Sequence, residues 1–530
     1  MFEGDKSRRD FLGAGAALFA VAGGPGVGQN AGAEKTSFVD VTRFGASGDG
    51  KALDSPAINK AIEAAAASGG GTVCFPAGTY LCYSIRLKSN VALWLGAGAT
   101  IVAADSPEDG SGKGYDAAES NAPWENYQDY GHNHWHDSLL WGEGLENVAI
   151  LGPGRIWGKG LSRGWGAGPK AESPGVGNKA IALKGCRNVV LRDFGILHGG
   201  HFGVLATGVD NLTIDNLTID TNRDGMDVDC CRNVHIANCT VNSPWDDGIC
   251  LKSSYALGYA RATEMVTITN CVVMGGFEEG SVLDGTYRPF GAEAGKVPRT
   301  GRIKFGTESN GGFKNVAVSN CVFEACQGFA LESVDGALLE DVSITNITMR
   351  DLVGPPIFLR LGARMRGPAG VEVGKIRRVT ISNVVCSNAA SEISSIVSGI
   401  PGHEIEDVRI SDVLIEHRGG GTKEMASRHL AEEEKEYPEP KMFGETPSHG
   451  FFVRHVKGIA LDGVKIECQK KDERPAFVLE DVQDAEFVGV RAPVSAGQPT
   501  FVLRDVKDFR LHRCQPLRDV EIGEVKERDL

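Results

Sequence analysis

The segments CRNVVL (186–191), VDNLTI (209–214) and CRNVHI (231–236) repeat one pattern, in which a polar turn with Asn leads into a short strand of Val, Ile or Leu. Their asparagines, Asn188, Asn211 and Asn233, lie 23 and 22 residues apart. Self-similarity at a period of this size indicates a solenoid rather than a compact sandwich. Because the strands are short and β-branched, with almost no helical periodicity, the sequence predicts an all-β solenoid.

The same pattern continues along most of the chain, at intervals that lengthen as expected if loops are inserted between coils. It recurs in LENVAI (145–150), TEMVTI (263–268), FKNVAV (313–318), LEDVSI (339–344), IRRVTI (376–381) and IEDVRI (405–410). Asn-Cys pairs recur at 238–239, 270–271 and 320–321. Stacking of equivalent positions predicts internal ladders, with asparagines bonding backbone groups at the turns and cysteines filling the core.

The composition fits one large extended domain with a cap at its N-terminal end. A chain of 530 residues has ample length for a core, and 70 Gly against 22 Pro supply many tight turns. Ser55 to Ala67 has helical periodicity, with Ser55 as the expected N-cap and Pro56 in the first turn. Because a solenoid exposes its core at each end, we expect this helix to cap the first coil.

Three aspartates stand out in TNRDGMDVDCCRNVHIANCTVNSPWDDGICLKS (221–253), where Asp224 precedes Asp246 and Asp247 by about one repeat. One coil of a solenoid would bring the three carboxylates together on one face. Glycoside hydrolysis needs an acid for the leaving oxygen and a base or nucleophile at the anomeric carbon, and paired carboxyl groups supply both. Crowding raises one pKa, so that one carboxyl stays protonated beside ionised neighbours. The alternative is structural, with each Asp capping its own turn.

Residues 1–34 predict a twin-arginine export signal. SRRDFL (7–12) is followed by GAGAALFAVAGG (13–24), an apolar stretch too weak and short for a stable membrane span. We expect a bacterial protein exported already folded, periplasmic or secreted, with no membrane span in the mature form. The net charge of −14 disfavours nucleic acid and anionic membranes as partners. Thirteen cysteines cannot all pair within one chain.

Two further motifs carry a family resemblance: FGASGDGKALDSPAINKAI (44–62) and GGGTVCFPAGTY (69–80). Together with the Asp-rich coils they resemble the pectinase superfamily of right-handed parallel β-helices, and most of all glycoside hydrolase family 28, the polygalacturonases and their relatives. The resemblance covers roughly residues 38–350. It implies a right-handed parallel β-helix and hydrolysis with inversion, in which one carboxylic acid protonates the leaving group and other carboxylates activate water.

By this resemblance, the family's Asn-Thr-Asp corresponds to residues 222–224, which read Asn-Arg-Asp, and its Asp-Asp to Asp246 and Asp247. It implies that Asp246 is the general acid and that Asp224 and Asp247 position the attacking water. No cofactor is implied, and the expected partner is a polysaccharide or an oligosaccharide.

The sequence departs from the family in its basic residues. The family's Gly-His-Gly is replaced by GRI (301–303), and its Arg-Ile-Lys, which grips a galacturonate carboxylate, is missing where the chain reads GFALE (328–332). Arg302 and Lys304 share one strand face and are candidates to supply this charge from a neighbouring coil, while Glu332 is a candidate for binding the hydroxyls of a neutral sugar. Ordinary endo-cleavage of polygalacturonate is therefore not expected.

Lys252 and His201 are further candidates for substrate contact. Lys252 matches the family's position after the aspartate pair, and His201 lies in HGGHFG (198–203), where a strand enters the floor of the cleft. A solvated strand-end Lys and simple packing of the histidine are the structural alternatives.

Two insertions interrupt the coils. Residues 106–138 are rich in aromatic residues and His and predict a wall against the sugar; their H-x-H-x-H (132–136) lacks an accompanying ligand set at recognised spacing, so we predict no metal site. Residues 419–450 are charged and predict a surface excursion that could reach the cleft. The other expected parts are the cap and first coils (38–105), the helix core with the active site (139–418) and C-terminal coils or strands (451–530).

Two other classes of function share this fold. A polysaccharide lyase or epimerase would need charge neutralisation at an acidic sugar, for which five carboxylates could form a calcium cage: Asp224, Asp227, Asp229, Asp246 and Asp247. The non-enzymatic alternative is a carbohydrate-binding β-helix.

Overall fold

The computed structural model describes residues 38–530, except for 108–112, 165–167, 222, 292–295, 494 and 496. The predicted export signal lies outside the described residues. Within them the chain winds into successive coils, and each coil adds one strand to each of up to three parallel sheets. The prediction of an all-β, right-handed parallel β-helix is confirmed.

Sheet 1 contains the Val- and Ile-rich strands of the repeat. Its strands are Phe38–Asp40, Gly71–Phe75, Val91–Leu95, Glu146–Leu151, Arg187–Arg192, Asp210–Asp215, Arg232–Ala237 and Thr263–Thr269, the first parts of Phe313–Glu324, Leu338–Arg350, Lys375–Ala389 and Ile405–His417, and the later parts of Phe451–Asp462, Phe477–Val488 and Phe501–His512.

Sheet 2 follows sheet 1 in each coil. Its strands are Asp49–Leu53, Gly78–Cys82, Ala99–Ala103, Arg155–Trp157, Gly195–Leu197, Thr218–Asp220, Thr240–Asn242 and Val272–Met274, the later parts of the four strands that begin at Phe313, Leu338, Lys375 and Ile405, and Lys465–Cys468.

Sheet 3 completes the coil and carries the candidate site. Its strands are Ile85–Arg86, Leu140–Glu143, Lys179–Lys184, Phe202–Thr207, Asp224–Asp229, Ile249–Ser253, Ile303–Ser309, Phe329–Ser333, Ile357–Leu361 and Ser395–Ser398, and the first parts of the strands that begin at Phe451, Phe477 and Phe501. A separate antiparallel pair is formed by Phe277–Glu279 and Arg288–Pro289.

The turns before sheet 1 carry an asparagine ladder, but its position differs from the prediction. Asn90, Asn147, Asn188, Asn211 and Asn233 all adopt positive φ. Each side-chain amide from Asn147 onward donates to the side-chain oxygen of the asparagine one coil earlier, at 2.8–2.9 Å. The ladder is exposed on the outside of the helix, and the amides bond one another rather than backbone groups. Asn tolerates left-handed backbone better than other non-glycine residues, which explains its recurrence at these turns.

The inside of the coils is filled by stacked apolar side chains. Val204, Met226, Ile249 and Ile303 occupy successive positions of sheet 3 and are fully buried. All thirteen cysteines are free thiols, and eleven of them are buried, including the three of the Asn-Cys pairs. The interpretation of those cysteines as core residues is confirmed.

Both ends of the solenoid are covered. The helix Ser55–Ala67 buries Ile58, Ala61, Ile62 and Ala65 against the first coil, as predicted. The helix begins one residue earlier than expected, because Asp54 rather than Ser55 is at the N-cap position. The Asp54 carboxylate does not cap the helix and instead accepts from the backbone N–H groups of residues 47 and 48. At the other end Val520–Asp529 pairs antiparallel with Phe501–His512.

The remaining helices are short: the α-helices Tyr130–Asn133 and Lys423–Ala426, and the 3₁₀ turns Val41–Phe44, Glu125–Tyr127 and Pro440–Phe443. Among the described residues, no helix has the length and apolar character needed to cross a membrane.

Candidate active site

The three predicted aspartates meet at the edge where the chain enters sheet 3. Asp224 begins the strand Asp224–Asp229, and the backbone N–H of residue 225 donates to the Asp247 carbonyl at 2.9 Å, which stacks Asp247 above Asp224. One carboxylate oxygen from each of Asp224, Asp246 and Asp247 lies within 4.8 Å of the other two. The solenoid register therefore brings together the three carboxylates that the spacing predicted.

Asp247 is the member of the cluster held as an anion. Its Oδ1 accepts from the Arg302 guanidinium at 2.9 Å, and its Oδ2 lies 3.6 Å from the Lys304 ammonium. Burial on its own raises the pKa of Asp247, but Lys304, Arg302 and Lys252 together outweigh burial and leave the pKa below the ordinary value. Asp247 is therefore ionised wherever a free aspartate would be.

Asp246 is the member that solvent, and hence a substrate, can reach. Its side chain is 31% exposed, whereas Asp224 and Asp247 are buried. Burial of its carboxyl raises the pKa of Asp246, the nearby Asp247 charge adds to this, and Arg223 opposes both. The Arg223 guanidinium donates to Asp246 Oδ2 at 3.1 and 3.3 Å and to the carbonyl of residue 163 at 2.8 Å.

Asp224 is buried to the same extent as Asp247. Burial raises its pKa well above the ordinary value, and the charges of Asp227 and Asp246 raise it further. Carboxyl groups this close share protons as a unit, and within this unit the pKa values of Asp246 and Asp224 are raised while the pKa of Asp247 is lowered. The ionised state of Asp247 favours it over Asp224 as the base.

A buried chain of charges supports the cluster from the next row of sheet 3. The Lys252 ammonium lies 2.9 Å from Glu308 and 3.6 Å from Asp227, and Asp227 Oδ2 lies 3.2 Å from the Nε2 atom of His132. These four side chains are nearly inaccessible to solvent. The substrate-binding role predicted for Lys252 stays a prediction, and its contacts in the structure are with carboxylates of the protein.

His201 packs beside the buried row of charged side chains formed by Lys252, Glu308, Asp227 and His132. Its ring stacks on Phe202 at 3.9 Å between centroids and lies edge-on to His132 at 6.1 Å. Burial lowers the pKa of His201 well below the ordinary value, with Arg223 and His132 adding to the effect. A neutral, buried His201 borders the site, and its contact with substrate stays a prediction.

Glu332 lies beneath the basic pair. It is fully buried, its Oε2 is 3.5 Å from the Lys304 ammonium, and neither oxygen accepts a hydrogen bond from a described residue. Burial raises the pKa of Glu332 to about 8, although Lys304 and Arg302 lower it. Glu332 is therefore a protonated acid near neutral pH and is placed behind the surface at which a sugar would bind.

We expect Glu332→Gln to flatten the pH dependence of stability. Because the folded-state pKa is about 8 against an ordinary 4.5, the stability associated with this proton is fully present below pH 4.5 and is lost as pH rises through 8. The thermal unfolding midpoint of the variant, relative to wild type, should therefore be higher at about pH 9 than at about pH 6. The surface variant Glu340→Gln, which removes a carboxylate paired with Arg377 and Arg378, is the control. A Glu332→Gln difference that is the same at both pH values would contradict this assignment.

The loop 106–138 covers the N-terminal part of sheet 3. Trp135 is buried, and its indole N–H donates to Thr207 Oγ1 at 3.1 Å, while Trp124 donates to the carbonyl of residue 256 at 3.2 Å. Trp124 and Tyr127 are half-buried and both lie edge-on to Tyr255. The buried Trp135 anchors the loop, and the role of the loop's aromatic residues as a wall against a sugar stays a prediction.

The three histidines of this loop point to different partners. His132 contacts Asp227, His134 Nδ1 lies 3.0 Å from the Tyr130 carbonyl, and His136 lies near Glu119 and Glu143. Glu119, His136 and Glu143 are close enough to hold a metal ion, but Glu143 is already paired with Lys184 at 3.0 Å. The H-x-H-x-H motif therefore does not form a single ligand set.

The excursion 419–450 covers the C-terminal part of sheet 3 and packs more closely than a surface loop. Its Leu430 and Phe443 bury an apolar patch formed by Ala330, Phe358, Ile396, Phe452 and Val478. Arg360 and Arg454 donate to backbone carbonyls of residues 430–433 at 2.7–3.0 Å. This packing was not predicted from the sequence, because charged residues predominate in the excursion and only a few apolar side chains anchor it.

Two residues of the excursion reach the site, as the sequence allowed but did not specify. The Tyr437 hydroxyl lies 2.8 Å from Thr307 Oγ1, and Glu439 contacts both Arg302 and Lys304. The sequence gives no sign of these contacts, because 137 positions separate Glu439 from Arg302. The pairing of Arg223 with Asp246 was not predicted either, although the change from the family's Thr to Arg223 was an available signal.

Comparisons with known proteins agree with this architecture. The family model described as rhamnogalacturonase A/epimerase, pectate lyase-like matches residues 38–129, and the right-handed β-helix region matches residues 172–290. A probable polygalacturonase from Vitis vinifera is 24% identical over 346 residues, which cover 60% of this chain and 62% of that protein. The chain thus spans less than two thirds of the length of this relative.

Two solved structures share the fold. The exopolygalacturonase of Thermotoga maritima has a TM-score of 0.56 and 21% identity, covering 72% of this chain and 87% of that one. The family 28 exopolygalacturonase of Yersinia enterocolitica has a TM-score of 0.56 and 18% identity, covering 91% of this chain and 79% of that one.

Fold and site together define a right-handed parallel β-helix with a carboxylate cluster on sheet 3. The matches make the chain similar to polygalacturonases over part of its length, in agreement with the resemblance to glycoside hydrolase family 28 that the motifs carry.

Proposed function

We propose that this protein is a glycoside hydrolase that cleaves a pectin-type or related linkage containing uronide or deoxysugar units. The observation that carries the proposal is the aspartate cluster, in which the environment raises the pKa of Asp246 and lowers that of its neighbour Asp247. Opposed pKa shifts within one group of carboxylates are typical of an acid and base pair. The similar probable polygalacturonase supports the same substrate class.

In this proposal Asp246 acts as the general acid. The partly exposed carboxyl of Asp246 donates its proton to the glycosidic oxygen as the bond to the anomeric carbon breaks, and a water molecule attacks that carbon. Asp247 accepts a proton from this water, with Asp224 as its partner in orienting it. The next substrate cycle requires the proton to return to Asp246, for which the short distances within the cluster provide a path.

We expect the reaction to invert the anomeric configuration, as the family resemblance implies. Proton NMR of the first product, recorded before mutarotation, should show the anomer opposite to that of the substrate linkage. Retention would contradict the assignment of Asp247 as a base and would point to attack by a carboxylate on the sugar, a reaction that needs two carboxyl groups about 5 Å apart and for which the spacing of this cluster is short enough.

We expect little cleavage inside unsubstituted polygalacturonate. The basic clamp of the family is absent from its usual coil, and Arg302 and Lys304 are engaged with carboxylates of the protein. The two insertions cover sheet 3 on both sides of the cluster, which favours attack near a chain end. Viscosity and oligosaccharide chromatography test this expectation: a rapid viscosity drop with an early ladder of oligogalacturonides would contradict it.

A calcium-dependent lyase fits the site less well. Of the five carboxylates considered for a cage, Asp227 is turned toward His132 and Lys252, and Asp229 accepts from Ser254 N–H and hydroxyl at 2.8 and 2.6 Å. The other three could meet on one ion, but Arg223 and the Arg302–Lys304 pair already neutralise two of them. Calcium sites usually need six to eight oxygen ligands, roughly twice the number available here.

The export route is also a proposal. The twin-arginine motif at residues 8–9 fits a periplasmic or secreted protein, where polysaccharide fragments are accessible. Fractionation of cells that carry wild-type protein or Arg8→Lys with Arg9→Lys tests it, and export of the double variant at the wild-type level would contradict it.

A further inference from the structure

The Arg302–Lys304 pair is already occupied by a carboxylate that belongs to the protein. Glu439 Oε1 is 2.5 Å from the Arg302 guanidinium and 3.5 Å from the Lys304 ammonium. The remaining contacts of Arg302 are with Asp247 and with Gln327 Oε1, at 2.9 and 2.7 Å. Both cations are almost completely buried, whereas the Glu439 side chain is 17% exposed. Glu439 therefore lies between the basic pair and solvent.

The local charges are balanced without a ligand. Asp247 and Glu439 supply two negative charges against the two positive charges of Arg302 and Lys304. Lys304 and Arg302 hold the pKa of Glu439 below the ordinary value, although burial alone would raise it. The nearby Glu332 is protonated near neutral pH and adds no charge there. A uronate carboxylate brought to this place would add an uncompensated negative charge beside Glu439 and Asp247.

Glu439 is held in place rather than free to swing aside. Its neighbours Pro438 and Pro440 are buried, and Phe443 packs in the apolar patch. On the other side, the Tyr437 ring lies over the Lys304 ammonium at 5.4 Å, and its hydroxyl contacts Thr307. Proline residues fix the backbone on both sides of Glu439, which lowers the entropy that its contacts must offset.

We propose that Glu439 is a specificity-determining residue: it neutralises Arg302 and Lys304, and so restricts the subsite beside Asp247 to a sugar without a carboxylate. This inference rests on the proposed glycosidase function, since it names the sugar class at one position of that same site. The substrate would then be a mixed polymer that presents a neutral or deoxy sugar here, with any uronate on another subsite.

Binding of galacturonate and of its methyl ester tests the proposal without any hydrolysis, because neither monosaccharide has a glycosidic bond to cleave. Ligand-observed NMR titrations would be run on wild type, Glu439→Gln, Glu439→Ala and the matched control Glu436→Gln. Glu436 is an exposed carboxylate of the same excursion, three residues from Glu439. Unfolding midpoints of all four proteins establish that they are folded.

We expect galacturonate to bind Glu439→Ala about tenfold or more tightly than wild type, the change expected for one charge-assisted hydrogen bond. Glu439→Gln should show a smaller gain, because it removes the charge but still fills the space. The affinity for the methyl ester should change by less than about twofold in both Glu439 variants. Glu436→Gln should bind both ligands with the wild-type affinity.

An equal gain for acid and ester, no gain for the acid in either Glu439 variant, or a clear preference of wild type for the acid would overturn the proposal. The result of this binding test does not depend on whether the protein hydrolyses a polysaccharide. A protein that hydrolyses no tested polymer but gains selectivity for the acid in Glu439→Ala would refute the glycosidase and keep the role of Glu439.

Discussion

Asp246→Asn should lower turnover by roughly 10² to 10⁴-fold while leaving the fold intact. The amide has the same shape as the carboxyl group but cannot donate a carboxylic proton to the leaving oxygen. The amide oxygen of the variant can still accept the hydrogen bond that Arg223 donates to Asp246 Oδ2 in the wild-type protein. The measurement is the release of new reducing ends from a substrate of the wild-type protein, with the unfolding midpoint recorded in parallel.

Asp215→Asn is the matched control for this variant. Asp215 accepts from the Asn238 amide at 2.8 Å on the outer turns of the solenoid, and an amide oxygen can replace that contact. We expect the control to keep wild-type activity. An Asp246→Asn protein that retains more than about half of the wild-type rate on an unactivated glycoside would remove Asp246 from the general-acid role.

Asp247→Asn should cause a loss of similar size, roughly 10² to 10⁴-fold, because the variant lacks the base that accepts the proton of water. The basic pair holds the pKa of Asp247 below the ordinary 3.8, so the acid limb of the wild-type pH–rate profile should lie at or below that value. Lys304→Met removes the cation that lowers the pKa of Asp247 the most and keeps Asp247. We expect this variant to move the acid limb to higher pH.

The Lys304→Met profile separates a catalytic role of Asp247 from a structural one. If Asp247 only anchored Arg302, Lys304→Met would change the amplitude of the profile but not the position of its acid limb. An acid limb that stays in place while Asp247→Asn is inactive would count against Asp247 as the base.

The repeat made the fold predictable from sequence, because each short strand must stack on an equivalent strand one coil away. The spacing of 22 residues from Asp224 to Asp246 matches one coil, so the sequence alone predicts that the Asp246–Asp247 pair stacks on Asp224. The recurrence of asparagine at the turns is visible in the sequence, but the prediction of an internal ladder with backbone contacts was wrong. Alternation of residues does not distinguish an inner ladder from an outer one at a turn where the backbone has positive φ.

The parts of the site that the sequence did not predict come from segments outside the repeat. Glu439 and His132 lie in insertions, where no period relates them to the coils that they contact. The substrate contacts predicted for Arg302 and Glu332 stay predictions, and the burial of both side chains was not predicted, because the excursion 419–450 is anchored by only a few apolar residues such as Phe443. Long-range docking of this kind depends on shape, which a single sequence does not display.

The central claim, hydrolysis of a pectin-type glycosidic bond by this aspartate cluster, is tested most directly in water labelled with heavy oxygen. Wild type and Asp246→Asn would be incubated with a panel of pectin-type polysaccharides, with and without a chelator, and the products analysed by mass spectrometry and ultraviolet absorbance. We predict that wild type alone releases fragments with one heavy oxygen at the new reducing end, no unsaturated uronide and no effect of chelation. Unsaturated products without heavy oxygen, lost on chelation, would identify a lyase, and polysaccharide binding without any new ends would identify a non-catalytic binder.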